Sequence, residues 1–297
     1  MIDLSLCMVT YQARDVLEEC LESIYGQEQG VSFELVLVDN GSTDGTIELV
    51  RDSYPQVRYI RNEGNAGFQK ATNQGLRAAE GRYLMWLNND TVVKSGAFAA
   101  LVTFADAHPE SGIVGPKVLN RDGSLQKQCR RGDPTPWSVL SYFSGLSRLF
   151  PRSKLFSGYL VGWANEDETI EVDACSGAAM MLRREAMDAV GPIDETFFYG
   201  GEDLDYCYQV RQHGYTNYYH PAAQILHYGG QGGARNRPYK LTYEFHRSMV
   251  LYFRKNLTGR YPFYLVWPIY AGIWGHFAFA FARNLVRKDK IPGGKKP

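Results

Sequence analysis

Cysteine is scarce, with five in 297 residues (Cys7, Cys20, Cys129, Cys175 and Cys207), an odd number and no C-x-x-C pair. A disulfide framework and a structural zinc site are therefore excluded, and reduced thiols are expected. Charge of one sign is also missing, because 32 basic side chains offset 32 acidic ones. A general polyanion binder is not expected, and no nucleic acid partner is assigned. The G-x-G-x-x-G fingerprint of a dinucleotide site is absent. At the start, Ile2-Asp3-Leu4-Ser5-Leu6 reads as strand with no basic segment before an apolar one, so the active portion is expected to face the cytoplasm. Internal repeats are lacking too.

What is present is 44% hydrophobic residues, ample for a large core. The first hundred residues alternate apolar β-rich runs with amphipathic patterns, as stacked βαβ units do. Strands are expected over 4–9, 33–38, 57–60 and 83–87, with helices over 16–24 and from a Ser42 or Thr43 cap through Val50. Such a sheet places its ligand site beyond the carboxyl ends of its strands. From Ile113 the elements shorten: a hairpin at Arg121-Asp122-Gly123, a strand over 171–182, helices near 184–189 and 202–213, and strands over 215–219 and 224–226. Residues 129–168 mix Arg130-Arg131 with prolines and aromatics, an excursion long enough to suggest a working segment. A helical pattern returns over 239–256.

Four clusters carry chemistry. Asp39 ends a strand ahead of Asn40-Gly41-Ser42-Thr43-Asp44. A carboxylate there has the chemistry to accept the imide N–H of uracil or thymine, although the same residue types make ordinary turns and caps. Leu87-Asn88-Asn89-Asp90 delivers polar residues at another strand end. Asp90 suits a hard divalent cation shared with diphosphate oxygens; a capping loop ahead of Ser95-Gly96 is the alternative. Glu202-Asp203-x-Asp205 opens a helix behind an aromatic run and Gly200-Gly201. Acidic first turns offset the helix dipole, but three carboxylates in four positions better match a base mounted at a pocket. His227 ends a strand before Tyr228-Gly229-Gly230, in a context the other five histidines lack.

These clusters occur in order with Thr10-Tyr11, Asn65-x-Gly67-Phe68, Ser176-Gly177-Ala178 and Gly191-x-x-Asp194-Glu195-x-Phe197-Phe198. Over residues 2–256 the series resembles the family 2 inverting glycosyltransferases of the GT-A fold, particularly the bacterial rhamnosyltransferase-type members. The resemblance implies an α/β fold: a mixed sheet with a parallel, Rossmann-like N-terminal half, plus C-terminal helices. Residues 1–238 would be the catalytic domain, about 1–115 binding the nucleotide sugar and about 116–238 the acceptor, with 239–297 a helical segment. It also implies roles. Asp39 would grip the pyrimidine beside Thr10 and Tyr11, and Asn65 and Gly67 would line the pocket. Asn88, Asn89 and Asp90 occupy the D-x-D place, with Asp90 and His227 holding Mn²⁺ or Mg²⁺. Ser176, Gly177 and Ala178 would border the donor sugar, and Asp203 would be the general base with Glu202 its partner or competitor. The implied reaction moves a sugar, rhamnose favoured, from a dTDP- or UDP-sugar to a hydroxyl of a glycan or lipid-linked glycan in cell-surface polysaccharide synthesis.

Three positions depart from the family pattern: Gln12 stands where many members have Asn, Asn88 replaces the first Asp of D-x-D, and Thr72 stands where some relatives have Arg. A catalytically inactive glycan-binding or scaffold protein on the same fold is the main alternative. A nucleotidyltransferase is a second, but Thr10-Tyr11-Gln12-Ala13-Arg14 is not the Gly-rich basic loop it needs. Finally, residues 262–282 form 21 positions without Lys, Arg, Asp or Glu, followed by a basic tail. That length reaches the minimum of a span, while Pro268 and the polar aromatics suit an interfacial helix at the inner membrane face. A soluble helix packed on the catalytic domain is the plain alternative.

Overall fold

The computed structural model describes residues 2–229 and 238–286. The glycine-rich positions 230–233 and the basic tail from residue 287 lie outside the described residues. Strand β1 (Leu4–Thr10) is buried at every position, as a parallel strand covered on both faces must be. Helix α1 (Arg14–Tyr25) turns Leu17, Cys20, Leu21 and Ile24 inward, one apolar stripe at helical spacing. Strand β2 (Phe33–Asp39), α2 (Thr46–Ser53), β3 (Arg58–Arg61), α3 (Phe68–Ala78) and β4 (Tyr83–Leu87) complete the N-terminal half. Strands β3, β2, β1 and β4 lie side by side and parallel.

The chain then adds β5 (Thr91–Val93), α4 (Ala97–Ala107), β6 (Ser111–Leu119), β7 (Arg130–Arg131), α5 (Pro136–Ser144) and α6 (Leu146–Leu149). After these come β8 (Ile170–Glu171), β9 (Ala174–Cys175), β10 (Ala179–Arg183), α7 (Arg184–Val190), α8 (Glu202–Gln212) and β11 (Thr216–His227). Helices α9 (Pro238–Tyr252) and α10 (Phe263–Val286) follow, joined through a π-helical turn at Phe253–Leu257. The main sheet runs β3-β2-β1-β4-β10-β6-β11-β5, with β8 also on β11. Because β10 is antiparallel to β4, its start lies at the carboxyl end of β4, with Ala179 opposite Leu87. One sheet edge therefore collects the ends of β1, β2 and β4 and the entry to β10.

Several local expectations change. Neither Ser42 nor Thr43 caps α2: Gly45, at φ 85°, precedes it, and the Asp44 carboxylate accepts the Thr46 N–H at 3.2 Å. The 171–182 strand is three short ones: Asp173 turns out of line to accept the Asp133 N–H and pair with Arg211, and Ser176-Gly177-Ala178 separate the second piece from the third. Conversely, the strands over 215–219 and 224–226 are one, β11, with a register shift between His220 and Gln224 where Pro221 lacks a ladder donor. The turn at Arg121-Asp122-Gly123 closes on a single Leu119–Leu125 bridge. All five cysteines are free and buried.

Candidate functional site

Thr10 and Asp39 end neighbouring strands in register. Asp39 is fully buried, and both its carboxylate oxygens accept the Ser42 N–H at 3.1 Å. Arg61 Nε stands 3.8 Å away and supplies the positive charge. Gly41, at φ 83°, permits this turn; a Cβ there would lie 2.9 Å from the Gly64 backbone. Across the cleft the Asn40 amide donates to the Gly67 carbonyl at 3.3 Å, and Asn65 Oδ1 accepts the Gly67 N–H at 3.0 Å. Gln12 takes a left-handed conformation, φ 50°, which Asn adopts more readily than Gln. It is held by its N–H donating to Ser42 Oγ and by a reciprocal amide pair with Thr43. Tyr11 is exposed beside it, and Asn89 donates to Thr10 Oγ1 at 3.1 Å.

A second centre joins β4 and β11. His227 Nε2 lies 3.2 Å from Asp90 Oδ1 and 3.4 Å from Asn88 Nδ2. Its other nitrogen, Nδ1, is 2.9 Å from Gln126 Oε1, which can only accept, so Nδ1 carries the proton. In the neutral ring Nε2 then offers a lone pair toward a carboxylate oxygen. Two lone pairs converging at 3.2 Å call for a proton or a cation between them. Asn88 Oδ1 is buried with no partner, on the side chain whose Nδ2 meets His227 Nε2. Among the described residues no three His, Cys, Asp or Glu side chains converge. This donor set can hold a hard divalent ion only if further ligands come from outside the chain.

A third centre stands at the N-terminus of α8. Asp203 Oδ2 accepts from Arg131 Nη2 at 2.6 Å and from the Gly177 N–H at 2.9 Å, while Oδ1 accepts the Leu204 N–H at 2.8 Å. A carboxylate has about four acceptor positions, so one on Oδ1 stays open. Gly177 eases this approach, since a Cβ there would lie 3.2 Å from both Asp203 and Trp86 and one of them would have to shift by a few tenths of an ångström. Ala178 links the same segment to the second centre, its carbonyl accepting the Asn88 N–H at 2.9 Å, and Ser176 Oγ accepts the Ala178 N–H. Glu202 differs from its neighbour. Its Oε2 is buried without a partner, and burial, then the Asp203 charge, push its pKa up to about 7.

The donor, metal and base residues expected from the sequence fall in or beside these three centres, whereas Asp205, the third carboxylate of the α8 start, is buried and pairs with Lys255 and Asn256 instead. Two participants were missed. Arg131 appeared only as one of a basic pair, and its partner Asp203 is 72 residues away. Gln126, which orients His227 from 101 residues away, gave no signal at all. Two further residues are structural: Asn73, next to Thr72, is buried and its amide bonds both N–H and C=O of Ile193, and Asp194 of the Gly191-x-x-Asp194 motif pairs with Lys255. Thr72 is buried and donates to the Phe68 carbonyl, so it makes no phosphate contact there. Replacing Arg131 by Leu is expected to lower unfolding stability by about 3–5 kcal/mol, because Asp203, largely shielded from solvent, loses its charge partner. Urea denaturation checks this; a loss below about 1 kcal/mol would mean the pair is solvated.

Three comparisons bear on this geometry. The chain is 28% identical over 279 residues to the N-acetylglucosaminyl-diphospho-decaprenol L-rhamnosyltransferase of Mycobacterium tuberculosis, covering 90% of this chain and 89% of the relative. It superposes on a mannosyltransferase of Pyrobaculum calidifontis in complex with GDP-Man and Mn²⁺, with TM-score 0.60 and 18% identity, over 94% of this chain and 71% of that one. A structure of GalNAc-T7 with UDP, GalNAc and Mn²⁺ gives TM-score 0.58 at 17% identity, covering 99% of this chain and 52% of that one. These likenesses identify the mixed sheet and its C-terminal helices as the GT-A glycosyltransferase fold. A family model described as glycosyl transferase family 2 matches residues 5–191, which span β1 to the end of α7, and the chain belongs to that family.

Proposed function

We propose that this glycosyltransferase moves a sugar, rhamnose favoured, from a dTDP- or UDP-sugar to a hydroxyl of a lipid-linked glycan, with inversion. The observation that carries the reading is the meeting of three centres on one sheet edge: buried Asp39, the Asp90–His227 pair and the Arg131-anchored Asp203. The mycobacterial relative, similar along nearly its whole length, is named for rhamnosyl transfer to such an acceptor.

The residues divide the work. Asp39 would accept the imide N–H of the pyrimidine, with Thr10, Tyr11, Asn65 and Gly67 around the nucleotide. Asp90, His227 and Asn88 would hold Mn²⁺ or Mg²⁺, which when bound neutralises charge on the departing diphosphate. Ser176, Gly177 and Ala178, with Asn89, would border the donor sugar. Asp203 would take the proton of the acceptor hydroxyl through its open Oδ1 position. Displacement from the face opposite the leaving diphosphate inverts the anomeric carbon. Residues 239–297 would bring the site to the inner membrane face, where lipid-linked acceptors reside.

Screening dTDP- and UDP-sugars with added Mn²⁺ for donor hydrolysis and transfer tests the reading. Turnover of the dTDP-rhamnose donor above the others is expected. Binding of nucleotide sugars without turnover of any would show an inactive glycan-binding protein instead.

A further inference from the structure

Helix α10 keeps Ile273, Ala280 and Asn284 buried, with Val266, Ile269 and Tyr270 packed on the core. Its remaining surface is apolar and bare: Phe263 is 81% exposed and Trp267 74%. The helix is long and apolar enough to cross a membrane, but its packing on the core and on α9 ties it to the domain, an arrangement that suits a helix lying on a bilayer. The helix is not alone in this. Residues 134–165 contain no Asp or Glu, yet carry Arg148, Arg152 and Lys154. All three cations are exposed, and none has an ion-pair partner among the described residues. The same segment exposes Trp137, Leu140, Leu149, Phe150 and Leu155. This segment meets α10 directly, with the Phe143 and His276 rings 4.1 Å apart.

We infer that residues 136–163 and α10 form one two-part surface that seats on an anionic bilayer. Cations interleaved with aromatic and aliphatic side chains, without an acidic residue, match the interface of a negatively charged leaflet: the apolar groups enter it and the cations stay at the headgroups. The segment is also rooted at the third centre of the site. Arg131, just before it, holds Asp203, and the Gly132 N–H donates to the Tyr159 carbonyl at 2.9 Å. Seating this segment therefore sets the Asp203 side of the site close to the membrane, where a lipid-linked hydroxyl would arrive. That last step rests on the proposed transferase reading; the seating does not.

The native thiols are all buried, so Leu149→Cys in the full-length chain takes a polarity-sensitive fluorophore selectively. With vesicles of equal parts phosphatidylcholine and phosphatidylglycerol, its emission should shift blue, rise, and be quenched by nitroxide lipids. The same label at Asp52→Cys, exposed on α2, should not respond. Replacing Arg148, Arg152 and Lys154 together by Gln should weaken vesicle affinity at least about 10-fold and reduce its salt sensitivity. Vesicle binding with a silent probe at 149 would mean that α10 docks alone, and the proposal fails. Absence of any vesicle binding would mean that something other than lipid covers this face, which overturns it equally. Neither readout depends on turnover, so failure of the transferase reading would appear separately, as an inactive protein that still binds vesicles.

Discussion

Asp203→Asn should lower transfer by at least ~10²-fold while nucleotide-sugar binding persists, because the substitution keeps the shape and removes the proton acceptor. The surroundings of this carboxylate make the effect specific. Arg131 and two backbone N–H groups fix its plane, leaving one oxygen position for a hydroxyl. Glu202 adds a pH dependence. Burial and the Asp203 charge raise its pKa to about 7, so it is protonated below that pH and ionised above it. Once ionised, Glu202 is a second carboxylate able to take up the acceptor proton, so the rate should climb as pH rises through about 7. Glu202→Gln should flatten that rise with a smaller loss of rate. The check is a pair of pH–rate profiles with donor binding measured alongside. If Glu202→Gln abolishes transfer and Asp203→Asn leaves it intact, the two carboxylates have exchanged roles.

Asp90→Ala should cut turnover by at least ~10²-fold, and EDTA should do the same to the unaltered protein, with Mn²⁺ restoring it. Loss of charge stabilisation at a departing diphosphate is worth a few kcal/mol. The donor set is lean, with one carboxylate and one imidazole side by side and an amide oxygen nearby. Removing either charged or ring ligand should therefore raise the metal concentration needed for half-maximal rate. Gln126→Leu should raise it less, by freeing His227 Nδ1 and letting the ring change tautomer. Titration of activity against Mn²⁺ separates these cases. Full activity in EDTA would remove the metal role from Asp90 and His227 together.

Much of the fold was legible because local rules set it. Apolar β-rich runs such as Leu35-Val36-Leu37-Val38, each closed by polar residues, fixed the parallel half and the edge where Asp39 and Asp90 would lie. Helix α8 was legible too, since Gly200-Gly201 and an acidic first turn mark its start. Misreadings arose where distant partners override local preference. Asp173 leaves its strand for Asp133 and Arg211, and Pro221 bulges β11 without ending it, because β6 pairs it on both sides of the bulge.

By itself the sequence determined which side chains end the strands: Thr10, Asp39, Asn88 to Asp90 and His227. Backbone pattern and turn chemistry act over a few residues, so order along the chain suffices to place them. Only the tertiary structure decided what those side chains face. Pairing β10 antiparallel to β4 brings Gly177 against Asp203, β11 carries His227 to Asp90, and the fold of residues 129–168 returns Arg131 to the carboxylate 72 residues ahead. A carboxylate's charge state and the direction of its free lone pair depend on neighbours within a few ångströms, and those neighbours are set by packing across the sheet.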